Sequence, residues 1–131
     1  MALAEPKRRT ISVTGDGSHQ LTATEIGVMG RYGINPIIIL LNNGLYGIED
    51  ILSQTGHVYD SLAGWDYHTL PAAMGCRDWF CTRVETVTEL ESALETARNH
   101  SGASYLELII PPEESQPLPK KTINRIYKTY A

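Results

Sequence analysis

The chain has 131 residues, 42% of them hydrophobic and 20% charged, with a net charge of −4; that is the size and composition of one ordinary globular domain burying roughly two thirds of its unfolded surface. No apolar stretch approaches the ~20 residues of a bilayer span, and the N-terminus lacks the apolar core of a secretory signal, so a cytoplasmic location follows by default and no membrane partner is expected. Basic residues are scattered apart from Lys7-Arg8-Arg9 and Lys120-Lys121, short clusters that read as solvated surface and argue against nucleic acid as a partner.

In chain order, Thr10-Ile11-Ser12-Val13-Thr14 is a short strand that runs into Gly15-Asp16-Gly17. Thr22-Ala-Thr-Glu25 has the form of a capping box. Ile26, Met29 and Tyr32 follow at helical spacing, and Gly33 ends that helix. Pro36 opens a second strand, whose five aliphatic residues Ile37 to Leu41 suit a strand covered on both faces. It closes on Asn42-Asn43. Strand, helix, strand implies a right-handed parallel crossover.

Gly44 to Gly47 is a turn, Ile48 to Leu52 a short helix, and residues 53–66 a long ordered surface connection. Tyr67 to Met74 is helical around Pro71 and stops at Gly75. Asp78 to Val84 is a strand. Val87 to Asn99 is a helix capped by Thr86 or Thr88, with Leu90, Leu94 and Ala97 facing inward. Ser104 to Ile110 is a buried strand stopped by Pro111-Pro112. Cys76 and Cys81 have neither CxxC nor zinc spacing and read as small buried residues. The domain covers 1–119; Ile123, Ile126, Tyr127 and Tyr130 give the tail, 120–131, a short closing helix. This alternation is an open α/β sheet, whose ligands bind beyond the carboxyl ends of the strands.

That rule places Asp16 and Asn43 side by side. Magnesium takes six oxygens in a near-octahedral array. Asp16 can supply a carboxylate oxygen, Asn43 its amide oxygen and Leu45 a backbone carbonyl, leaving room for two diphosphate oxygens and a water. Backbone N–H groups at Gly17 and Ser18 suit the phosphates, and Gly15 and Gly17 permit close approach. Either group alone is a common turn sequence; two of them ending consecutive parallel strands are a site. His19, His57, His68 and His100 lack metal-ligand spacing and read as exposed or hydrogen-bonded structural residues, while Trp65 and Tyr67 pack the loop.

Gly15-Asp16-Gly17, 24 residues and then Asn42-Asn43 resembles the thiamine diphosphate signature. The stretches at 15–26, 36–43 and 59–67 resemble the 2-oxo acid decarboxylases, nearest to the pyruvate and indolepyruvate decarboxylases, over most of residues 8–112. The resemblance implies a three-layer α/β sandwich with a mainly parallel sheet flanked by helices, incomplete at its N-terminal side. It implies thiamine diphosphate and Mg2+ as cofactors, with Gly15, Asp16, Gly17, Ser18, Asn43 and Ile48 contacting the cofactor. By the same resemblance, Asp16, Asn43 and the Leu45 carbonyl are expected to hold the metal. Many relatives have glycine at position 45, a change that a main-chain ligand tolerates.

By the resemblance, Glu49 corresponds to the active-site glutamate that moves protons as aldehyde is released, and an acid facing a partly apolar crevice near a diphosphate is expected to resist ionisation. Acetolactate synthase-like carboligases share the signature but typically lack this glutamate, which favours simple non-oxidative decarboxylation of a 2-oxo acid. The separate pyrimidine-binding domain, and the strand–helix unit that precedes the first strand in relatives, are expected to be missing. The chain is then either a piece needing a partner polypeptide, inactive alone, or a non-catalytic remnant that binds ligands or proteins. An exposed strand edge predicts self-association. A flavodoxin-like nucleotide-phosphate domain is a more distant reading.

Overall fold

The aliphatic run at residues 37–41 becomes the inner strand of a parallel sheet, because stiff β-branched side chains suit a strand buried on both faces. The computed structural model describes residues 2–5, 7–49 and 58–112. Its elements are β1 (Ile11–Gly15), α1 (Asp16–Gln20), α2 (Glu25–Arg31), β2 (Ile37–Asn42), α3 (Leu70–Ala73), β3 (Phe80–Val84), α4 (Val87–Asn99) and β4 (Ser104–Ile109), with 3-10 turns at Val58–Asp60 and Tyr67–Thr69. The sheet order is β1-β2-β4-β3, with every pair parallel.

Alternation along the strands builds two cores. On one face Ile38, Leu40 and Tyr105 meet Ile26 of α2, together with Tyr67, Cys76 and Trp79. On the other, Ile37, Val84 and Leu106 meet Ala93 and Ala97 of α4. Helices thus cover both sides, giving the expected three layers, and each fully buried aliphatic side chain contributes about 1.5–3 kcal/mol.

Several local expectations are corrected. The Thr22–Glu25 capping box does not form: α2 begins at Glu25 behind Thr24, which makes no side-chain cap bond. A continuous turn from α1 removes the need for one, since the Glu25, Ile26 and Gly27 N–H groups already reach the carbonyls of Thr22, Ala23 and Thr24. Leu94 is 40% exposed where an inward position was expected. The sheet meets α4 through Ala93 and Ala97, whose small side chains turn that face toward the strands. Residues 67–74 divide into a 3-10 turn and α3, which carries Pro71 in its first turn, where a missing N–H costs nothing. Thr86 does cap α4, in a complete capping box with Glu89.

Arg9 is more than solvated surface. Its guanidinium donates to the carbonyls of Ala97 at 2.7 Å, His100 at 2.8 Å and Gly102 at 2.6 Å, tying the C-terminal end of α4 to the N-terminal edge of the sheet. β1 pairs with β2 alone among the described strands, and its Ile11 and Val13 are 62% and 61% exposed. Residues 47–49 are helical. The rest of the helix expected to Leu52, His57 and the expected closing helix of the tail lie outside the described residues.

Candidate functional site

Two strands deliver the site. β1 ends at Gly15, so Asp16 opens α1 at the carboxyl edge of the sheet; β2 ends at Asn42, so Asn43 starts the next turn one strand over. Asp16 is only 2% exposed. Its Oδ1 accepts the Gly17 N–H at 2.9 Å and its Oδ2 accepts the Gly44 N–H at 2.7 Å, so the carboxylate already joins the two strand ends. Gly44 has φ +70°, a left-handed conformation that glycine adopts without a Cβ clash, and this aims its N–H at Asp16. Burial raises the Asp16 pKa above the ordinary carboxylate range, with the Gly44 and Gly17 N–H groups pulling the other way. A bound cation would favour the ionised form further.

The turn after Asn43 is held from below. Leu45 faces Ser61 in an isolated antiparallel bridge, whose bonds run from Tyr46 N to Asp60 O and from Leu62 N to Gly44 O. The N–H and carbonyl of Leu45 itself therefore point away from Ser61. The N–H donates to Asn43 Oδ1 at 3.1 Å.

A cavity of about 520 Å³ opens here, lined by Gly15, Asp16, Gly17, Ser18, Asn43, Leu45 and Ile48, with Leu41, Tyr46, Gly47 and Ile110. Every residue expected to contact cofactor or metal lines it. Glu49, expected to face the crevice, is instead exposed and outside its lining. The Gly17 N–H, expected to face phosphate, is engaged by Asp16. Gly17 lies against the Tyr46 ring, whose carbons stand 2.6 Å from where a Cβ would sit.

The donor chemistry fits a hard cation. A carboxylate has about four lone-pair sites, two of them used here by N–H groups, and Asn43 and Leu45, which carry an amide oxygen and a backbone carbonyl, line the same cavity. Among the described residues no group of three or more His, Cys, Asp or Glu could hold a metal. Any metal held here therefore needs ligand or water oxygens as well.

Behind the cavity lies a buried polar layer that the sequence reading missed. Glu107, fully buried in β4, accepts from Asn42 Nδ2 at 2.8 Å, from the His68 N–H at 3.0 Å and from His68 Nδ1 at 2.8 Å. A charged residue inside Ser104-Tyr-Leu-Glu-Leu-Ile109 was the available signal, since carboxylates are almost never buried without partners. His68 is thus hydrogen-bonded as expected. His19 is not: it is buried, its Nε2 finds no partner among the described residues, and its ring packs against Tyr105 and Tyr67 at 5.7 and 6.3 Å. Burial lowers its pKa. Tyr67 is core, with its hydroxyl accepting from Gln20 Nε2 at 2.7 Å, and Trp65 lies beside it. Cys76 is buried and Cys81 half-buried, both free thiols, with burial pushing Cys81 up to about 11.

Known proteins share this fold. Residues 1–108 match the family described as thiamine pyrophosphate enzyme, C-terminal TPP binding domain. An alpha-keto-acid decarboxylase of Mycobacterium avium (strain 104) is 36% identical over 111 residues, 84% of this chain and 20% of that protein. One from Mycobacterium ulcerans (strain Agy99) is 32% identical over 118 residues, 89% of this chain and 21% of that protein. Among solved structures, the thiamine diphosphate-dependent 4-hydroxybenzoylformate decarboxylase of Rhodococcus jostii RHA1 has TM-score 0.74 at 29% identity, covering 86% of this chain and 22% of its own. Benzoylformate decarboxylase from Polynucleobacter necessarius has TM-score 0.74 at 28% identity, covering 88% and 22%. The chain spans about a fifth of the length of these relatives. With this sheet order and with the signature residues on one cavity wall, the chain belongs to the thiamine pyrophosphate enzymes and carries their C-terminal TPP binding domain.

Proposed function

We propose that the cavity at the ends of β1 and β2 holds the diphosphate of thiamine diphosphate through Mg2+, as the cofactor half of a non-oxidative 2-oxo acid decarboxylase. The observation that carries this is the link from Asp16 Oδ2 to the Gly44 N–H, which sets an acid and the Asn43 turn on one cavity wall. Asp16, Asn43 Oδ1 and the Leu45 carbonyl would hold the cation. Gly15, Gly17 and Ser18 would take the phosphates and Ile48 the apolar part of the cofactor. When bound, thiamine diphosphate supplies the electron sink for decarboxylation. The chain orients it and excludes water with Leu41, Tyr46 and Ile110. Glu49 follows directly on the lining residues Tyr46-Gly47-Ile48, and this supports its assignment as the group that returns a proton during aldehyde release.

Residues 1–131 by themselves are expected to bind the cofactor without turnover, which is expected to require a pyrimidine-binding half as well. Among the described residues β1 pairs with β2 alone and exposes Ile11 and Val13, which supports self-association or docking of a partner. Calorimetry with thiamine diphosphate tests the binding reading. Heat that requires Mg2+, and is lost in Asp16→Ala, is expected; preferential binding of a flavin or nucleotide would replace it with the flavodoxin-like reading. Aldehyde formed from pyruvate or indolepyruvate by the purified chain, above the Asp16→Ala control, would show that no partner is needed.

A further inference from the structure

We propose that Glu107 is a positioning residue, holding the Asp16 and Asn43 segments in register for a bound Mg2+. This rests on the reading above that those residues grip the cation. Glu107 touches neither of them. Its Oε1 accepts from Asn42, the residue directly before Asn43, and its Oε2 accepts from the backbone and ring of His68. His68 adjoins Tyr67, whose hydroxyl takes the Gln20 bond at the far end of the helix that Asp16 begins. On the cavity side, Asp16 closes the circuit through Gly44. The two ligand-bearing segments are therefore tied twice, once directly and once through a fully buried carboxylate beneath them.

The chemistry calls for an acid at this position. Asn42 Nδ2, the His68 N–H and the His68 ring converge on two oxygens, and a carboxylate offers an acceptor to each of them where an amide offers only one oxygen. An amide of the same size would turn a donor toward one of those N–H groups. Asn42 or His68 would then lose its anchor, and the turn carrying Asn43, Gly44 and Leu45 would loosen. Carboxylates one step behind a metal ligand commonly set affinity in this way.

The test uses the full chain and two readouts. In Glu107→Gln, Mg2+-dependent binding of thiamine diphosphate is expected to weaken about tenfold or more. Amide hydrogen exchange at Gly44, which needs no ligand, is expected to accelerate while α4 is unchanged. His68→Ala leaves the backbone bond to Glu107 and removes only the ring. It is expected to shift both readouts in the same direction by less, and it carries the test should Glu107→Gln not fold. Thr86→Ala, destabilised at the start of α4 away from the cavity lining, is the control for a merely structural effect and is expected to leave binding unaltered. If the wild-type chain binds no Mg2+–thiamine diphosphate, both readings fall. If it binds, and the Glu107 and His68 variants bind equally well with Gly44 exchange unchanged, this inference alone is overturned.

Discussion

Asp16 and Gly44 lie 28 positions apart in sequence, yet a carboxylate oxygen of one accepts the N–H of the other at 2.7 Å. The bond forms because β1 and β2 run parallel in register, Gly15 opposite Leu41, so that the residues following each strand emerge together. Replacing Asp16 by Asn keeps the size and one acceptor while removing the charge. Mg2+-dependent cofactor binding is expected to disappear in calorimetry. The unfolding free energy should change by no more than about 1–3 kcal/mol, the cost of weakened bonds to two N–H groups.

Gly17 is a packing requirement. A Cβ there would meet the Tyr46 ring at 2.6 Å, and Tyr46 lines the cavity. Gly17→Ala is expected to lose about 1–3 kcal/mol of stability through overpacking and to weaken cofactor binding. Adding Tyr46→Ala removes the obstacle, so the double variant should be more stable than the sum of the single effects predicts. Urea unfolding of the four chains measures this coupling.

His19 makes stability pH-dependent. Burial lowers its pKa below the ordinary 6.5, so on acidification the unfolded chain takes up the proton first. Stability is therefore lost as pH falls below the unfolded value, until the folded value is passed. His19→Leu removes that contribution. The urea midpoint of the wild type should drop between ~pH 7.5 and ~pH 5 by more than that of the variant, and equal drops would refute the assignment.

Thr86 closes the capping box of α4: its side chain accepts from the Glu89 N–H at 3.2 Å, and Glu89 accepts from the Thr86 N–H at 3.0 Å. Thr86→Ala is expected to cost about 1 kcal/mol, read as a melting temperature lower by about 3–4 °C in calorimetry. The Glu85 N–H and, after it, the Thr86 N–H hold the Glu89 pKa below its usual value. The stabilisation they give is present above the unfolded pKa and is lost as pH falls through the folded one.

The cavity wall was legible before any coordinates, because its parts are short local patterns. Gly-Asp-Gly and Asn-Asn each close an apolar run, and parallel strands put their carboxyl ends at one edge. The same locality made α4 readable to the residue, Val87–Asn99. The Thr22 cap failed because a local pattern competes with the turn arriving from α1. Leu94 failed because the face a helix buries depends on what stands opposite it.

From the residues alone came the strand order along the chain, the helices after α1, the parallel crossover and the cavity-lining set around Asp16 and Asn43, since each depends on neighbours a few positions away. Only the tertiary structure decided the sheet order β1-β2-β4-β3, the burial of His19 and the convergence of Asn42 and His68 on Glu107. Those follow from side chains 39 and 65 positions apart meeting inside the fold. No periodicity records such contacts, because a buried carboxylate is stabilised only by donors that arrive from other strands and loops.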